Sequence, residues 1–190
     1  NRAGNIVWRL GPDYSISEST KELGQIIGQH NPHIIPNGLP GEGNILVFDN
    51  GGSAGYGFAD PAAPDGRDSV RRDFSRVLEF DPITLEIIWE YSIGGSEKFQ
   101  FFSHYVSNAQ RLPNGNTMVT EGSDGRIFEL TEDKQIIWEY MSPFHGTEEP
   151  ISRRIFRAYR LPYEWVPQLD RPQQIQVVPP DNGTFRVPSQ

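Results

Sequence analysis

Charged residues frame short apolar runs at Arg76-Val77-Leu78-Glu79-Phe80 and again at Arg126-Ile127-Phe128-Glu129-Leu130. This imperfect alternation predicts half-buried β-strands. Each run is followed by a turn, Asp81-Pro82-Ile83-Thr84 or Glu132-Asp133-Lys134, and then by one identical string, Ile-Ile-Trp-Glu-Tyr, at 87–91 and 136–140. The two strings lie 49 residues apart, and a weaker copy, Gly4-Asn5-Ile6-Val7-Trp8, opens the chain. Upstream, Leu39-Pro40-Gly41-Glu42-Gly43-Asn44-Ile45-Leu46-Val47 matches Leu112-Pro113-Asn114-Gly115-Asn116-Thr117-Met118-Val119. The offset is 72 from Asn44 to Asn116 but 50 from Arg76 to Arg126, so the first copy carries a 22-residue insertion within 51–74.

Each unit therefore predicts three strands: one after the Gly-Asn pair, the Arg-apolar-apolar-Glu strand, and the Trp strand. A fourth is expected in the connecting loops. A period of about 40–50 residues with several strands per unit predicts an all-β chain built as a β-propeller. About two to three blades fit: a blade end at 1–10, a blade at 28–92 and a blade at 100–142, against the roughly 4–8 of a closed propeller. Segment 14–23 is polar and predicts an irregular connection. The stretch 143–190 holds Pro143, Pro150, Pro162, Pro167, Pro172, Pro179, Pro180 and Pro188. It predicts an irregular Pro-rich arm with one short helix around Ser152–Arg160. An open propeller exposes strand edges and apolar faces, so self-association or pairing with another chain is expected.

Glycine (19) and proline (16) are frequent enough to supply the turns between short strands. The net charge of −8 argues against sequence-independent nucleic-acid binding and against an anionic membrane surface. Cysteine is absent, which excludes disulfides, thiolate metal sites and a cysteine nucleophile. No apolar run of about 18 residues predicts a membrane-spanning helix. The first residues show no signal-peptide pattern, so the chain is expected to start inside a longer protein or after a removed leader.

Candidate chemistry concentrates on His30 and His104. Both precede the first clear strand of a unit, ten residues before Pro40 and nine before Pro113. If equivalent loops converge near a propeller axis, two imidazoles meet there as nucleophile, general base or metal ligands. His33 and His145 read as loop residues bonded to backbone. Arg76 and Arg126 match in the repeat and read either as oxyanion binders or as partners of strand glutamates such as Glu90 and Glu139. Arg111, just ahead of Leu112-Pro113, and the loop arginines Arg67, Arg71 and Arg72 are further oxyanion candidates. Trp89 and Trp138 read as core packed between blades. Asp49-Asn50-Gly51-Gly52 reads as a turn, with an oxygen-ligated calcium site as the alternative. There is no phosphate-cradling loop, no HExxH and no GxSxG motif.

Gln29-His30-Asn31-Pro32, Asn44-Ile45-Leu46-Val47-Phe48-Asp49-Asn50-Gly51, Ser75-Arg76-Val77-Leu78-Glu79-Phe80, Ile88-Trp89-Glu90-Tyr91 and Ala109-Gln110-Arg111-Leu112-Pro113-Asn114-Gly115-Asn116-Thr117 together resemble the bacterial arylsulfotransferases, over roughly residues 28–161. The resemblance implies a six-bladed propeller exported to the periplasm or cell exterior. It implies transfer of a sulfuryl group from a phenolic sulfate ester to another phenol through a sulfohistidine, without a nucleotide donor. Carried onto this chain, it gives His30 and His104 the sulfuryl-handling roles and Arg76, Arg111 and Asn31 the sulfuryl oxygens, with no metal ligand. Two other readings stay open. One is a non-catalytic propeller serving as a binding or scaffold module. The other is a quinoprotein-like propeller holding pyrroloquinoline quinone and calcium, because Asp81-Pro82-Ile83-Thr84…Trp89 resembles the repeat of that group.

Overall fold

Two groups of four strands pair antiparallel in chain order. The first sheet is β1 (His30–Ile34), β2 (Ile45–Asp49), β3 (Arg76–Phe80) and β4 (Ile87–Tyr91). The second is β5 (Asn108–Arg111), β6 (Thr117–Glu121), β7 (Arg126–Leu130) and β8 (Ile136–Met141). The computed structural model describes residues 1–52, 72–144, 153–171 and 173. The expected strands are β2–β4 and β6–β8, and β1 and β5 are the fourth strand of each unit. Sequential four-stranded antiparallel sheets of this kind are the arrangement of a partial β-propeller.

The strand period of two sends alternate side chains to opposite faces. Leu46, Phe48 and Val77 face the second sheet and form one core with Phe101, Ala109, Val119, Phe128 and Leu130. Val47, Leu78 and Phe80 face the other way and pack with Leu23 and Ile26. Phe101 sits where the sheets meet, with ring centroids 5.6 Å from Phe48, 5.0 Å from Tyr91 and 5.9 Å from Phe128. These edge-on contacts lock the sheets beyond simple area burial.

Polar contacts recur with the repeat. Trp89 donates its Nε1–H to Glu132 O at 2.8 Å, and Trp8 donates to Pro82 O at 3.0 Å from the equivalent position. Thus the opening copy makes the same contact as Trp89 although residues 5–10 form no strand. Register places Asp49 opposite Arg76 and Glu121 opposite Arg126, and each pair is bonded, at 2.7 and 3.2 Å. The partnership expected with Glu90 and Glu139 also forms, at 3.9 and 2.5 Å, but Asp49 is the closer partner of Arg76.

Three expectations need correction. Segment 14–23 is not wholly irregular: Glu18–Leu23 is a short helix, α1, capped by Ser17, whose Oγ accepts from Thr20 N at 3.2 Å. Burial of Thr20 and Leu23 completes it. Trp138 is not core. It is 42% exposed, because among the described residues no further sheet covers β8 as the second sheet covers β4. Tyr91 is 7% exposed for the same reason that its counterpart Tyr140 is 36% exposed.

The third correction concerns the helix around Ser152–Arg160, which is not formed over its described part, 153–160. The segment's polar groups are taken up by the second sheet instead. Ile155 N donates to Gly122 O at 2.9 Å and Ser107 N to Phe156 O at 3.0 Å. Asn108 brackets Ala158 with two bonds, and Gln110 brackets Arg160 with two more. A Cβ on Gly122 would stand 2.4 Å from Ile155 O, so the close approach requires glycine. Ala158-Tyr159-Arg160-Leu161-Pro162 repeats the Ala-x-Arg-Leu-Pro of 109–113 at an offset of 49. Accordingly Arg160 pairs with Glu129 as Arg111 pairs with Glu79. Residues 153–160 thus stand to the second sheet as the β5 region stands to the first. The chain divides after Arg160, and Leu161–Gln190 is a separate unit whose described part holds a single 3-10 turn, Tyr163–Trp165.

Glu129 makes this docking acid-sensitive. Burial alone raises its carboxyl pKa, but hydrogen bonds from Asn116 and Asn114 and the Arg160 guanidinium outweigh it and hold the value below 4.5. A depressed carboxylate stabilises the fold above its unfolded pKa and loses that contribution as pH falls through the folded one. Glu129→Gln is therefore expected to lower Tm at pH 7 and to lose that deficit as pH drops below about 4. A Tm difference from the parent that stays constant between pH 7 and 3 would refute this.

Candidate functional site

The start of β1, the end of β2, the start of β3 and the loop leading into β5 lie at one edge of the two sheets, as the pairing of His30 with Phe48 and of Asp49 with Arg76 requires. His30 opens β1. A register shift between His30 and His33, with Asn31 at φ 52, turns the strand at this point. The His30 Nδ1 lies 3.0 Å from Gly28 O and 2.9 Å from Asn50 Oδ1. A carbonyl only accepts, so the proton of the neutral ring sits on Nδ1 and Nε2 keeps its lone pair. The ring is half-buried.

Asn50 follows β2 and is fully buried. Its Nδ2 donates to Ser103 O at 2.6 Å and to Val106 O at 3.0 Å, reaching the loop of the neighbouring sheet. Ser75 and Ser103 reinforce the junction: Ser75 Oγ donates to Asn50 O at 2.7 Å, and Ser103 N donates to Ser75 Oγ at 2.9 Å. Ser103 Oγ then donates to Tyr105 O and accepts from Ser107 Oγ and Ser123 N, at 2.8, 2.8 and 3.0 Å. A Cβ on Gly52 would fall 2.0 Å from His104 O, so glycine is what lets the loop approach. His104 is exposed, with its ring centroid 4.3 Å from that of Tyr105. The Tyr105 hydroxyl is buried without a hydrogen-bond partner among the described residues.

His30 and His104 are therefore brought to one junction, but they are not equivalent in the repeat. The residue matched to His30 by strand register is Asn108, opposite Thr120 as His30 is opposite Phe48. His104 sits four residues earlier, on the loop. Counting back from the prolines misses this chiefly because the connection from β1 to β2, residues 35–44, is longer than that from β5 to β6, residues 112–116, and β1 carries a register irregularity besides. Asn31 lies beside His30, and among the described residues its side chain makes long contacts, Nδ2 to Ala109 O at 3.4 Å and Oδ1 from Tyr159 at 3.3 Å.

Arg76 and Arg111 are committed to carboxylates. Arg76 donates to Asp49 Oδ2 at 2.7 Å and to the carbonyls of Gly24 and Gln25. Arg111 lies at the other end of β5, opposite Thr117, and donates to Glu79 Oε2 at 2.5 Å. Arg72 binds the second oxygen of Asp49, at 2.8 Å, so the stretch weighed as a calcium loop presents no free carboxylate. No group of three or more histidine, aspartate or glutamate side chains that could hold a metal occurs among the described residues. His33 makes the expected bond to backbone, at Asn31 O, but it stands in β1 opposite Leu46 and not in a loop. His145, Arg67 and Arg71 lie outside the described residues.

Glu121, at the end of β6, receives the Phe102 N–H at 2.9 Å and anchors the start of the His104 loop. Burial pushes its carboxyl up, more than the Phe102 N–H and Arg126 pull it down. From sequence, Asn50 belongs to a stretch read as a turn or a calcium loop, Ser75 appears only in the Ser-Arg string of the family resemblance, and Ser103 carries no signal of its own.

The profile of the arylsulfotransferase (ASST) family matches residues 1–143. Neither a curated protein nor a solved structure matches the chain.

Proposed function

We propose, from the premise that this chain belongs to the arylsulfotransferase family, that it carries a sulfuryl group from a phenolic sulfate ester to another phenol by way of His30. The observation that carries this reading is the His30 Nδ1–H contact with Gly28 O, which leaves Nε2 as the nucleophilic nitrogen at the edge where His104 also arrives. Nε2 attacks sulfur, the bond from sulfur to the aryl oxygen breaks, and the departing phenolate takes a proton from His104. The acceptor phenol then attacks the sulfohistidine sulfur. Its proton passes to His104, the S–N bond breaks and His30 is restored.

Asn31, adjacent to His30 and only loosely bonded, is the residue proposed to meet the sulfuryl oxygens. The two sheets are read as part of a six-bladed propeller acting in the periplasm or outside the cell. No described helix is long and apolar enough to cross a membrane. The test is turnover of p-nitrophenyl sulfate with phenol. Acceptor-dependent release of p-nitrophenolate with ping-pong kinetics is expected, and no release across a panel of aryl sulfates from the folded protein overturns the proposal.

A further inference from the structure

We infer that Asn50 is a positioning residue, orienting the imidazole of His30 and tying it to the loop that bears His104. The inference rests on the histidine mechanism proposed above.

The orientation of the Asn50 amide follows from its surroundings. The atom lying 2.6 Å from Ser103 O and 3.0 Å from Val106 O faces two acceptors, so it must be the NH2 group. Oδ1 therefore faces His30 Nδ1, at 2.9 Å, and an amide oxygen only accepts. It demands the same Nδ1–H tautomer as Gly28 O does. Two acceptors on one N–H hold the tautomer, and the ring cannot turn without giving up both. The same side chain spans the two sheets, because Ser103 and Val106 flank His104 on the loop ahead of β5.

The repeat shows that the fold itself does not call for asparagine here. The position matched to Asn50 is Gly122, opposite-strand neighbours being Asp49–Arg76 in one sheet and Glu121–Arg126 in the other. The position matched to His30 is Asn108. Histidine and asparagine thus occur together in the first sheet and are both replaced in the second. Among the described residues, the titratable and charged groups on the elements around His30 are His33 on β1, Asp49 on β2 with Arg72 and Arg76 bound to it, Arg111 at the far end of β5, His104 and Tyr105 on the loop with Arg154 over the Tyr105 ring, and Tyr159 against Asn31.

The test compares two variants of the intact chain with the parent, following the imidazoles by NMR. Asn50→Asp keeps an oxygen toward Nδ1 and adds a negative charge. The His30 titration midpoint is expected to rise by about one pH unit or more, and the acid limb of the pH–rate profile with it. Asn50→Gly copies the second sheet and removes both contacts. It is expected to lower kcat by about tenfold to a hundredfold with little change in KM, the usual worth of an orienting partner. A His30 midpoint that stays in place in folded Asn50→Asp overturns the assignment. If that variant does not fold, unchanged His30 ring-nitrogen shifts in Asn50→Gly overturn it instead. A parent that turns over no aryl sulfate defeats the transfer mechanism, while the titration still decides whether Asn50 orients His30.

Discussion

His30→Ala is expected to abolish acceptor-dependent p-nitrophenolate release, with kcat down by about 10⁴-fold or more, as when a nucleophile is lost from a concerted set. The reason is structural as well as chemical. The ring is held at Nδ1 by Gly28 O and Asn50 Oδ1, so Nε2 is the nitrogen left to react. His104→Ala should be less severe, about 10²–10⁴-fold, because it removes proton transfer and not the covalent step. Mass spectrometry of protein quenched with donor alone separates the two. A sulfuryl adduct should survive in His104→Ala and vanish in His30→Ala. An adduct that persists in His30→Ala would move the nucleophile to another histidine.

Arg111→Leu is expected to unfold the protein more readily by about 3–5 kcal/mol, because it strands a buried carboxylate. Arg111 and Glu79 are 9% and 3% exposed and bonded at 2.5 Å, and Asn44 donates to the other Glu79 oxygen at 2.8 Å. The pair joins β5 of one sheet to β3 of the other, and the Arg111 guanidinium also lies 5.9 Å from the Trp89 ring. The double variant with Glu79→Leu should recover most of the loss, since no unpaired charge remains. Urea unfolding measures both. Unchanged stability with a raised KM would instead return Arg111 to the sulfuryl oxygens, the role the family resemblance suggested.

Most strands were legible because their cause is local. Arg76–Phe80 and Arg126–Leu130 alternate, and their turns and Trp strings repeat, so each element could be placed from a few neighbouring residues. The short strands β1 and β5 were not, because His-Asn-Pro-His-Ile and Asn-Ala-Gln-Arg lack an apolar period and become strands only by pairing with β2 and β6. The Ala-x-Arg-Leu-Pro string at 158–162 was a readable signal for the segment docked on the second sheet, obscured by the surrounding prolines.

Chain order alone, then, determined the all-β class, the repeated unit, the family and the two histidines worth testing. These depend on patterns within one unit or on strings that recur. Tertiary structure decided which charges are free. Asp49 pairs with Arg76 across adjacent strands and Glu79 with Arg111 across the two sheets, and burial makes each pair costly to break. It also decided that the segments bearing His30 and His104 adjoin without being repeat equivalents. A buried asparagine and a glycine small enough for backbone contact draw the second sheet's loop onto the first, and neither residue's local sequence states what will pack against it.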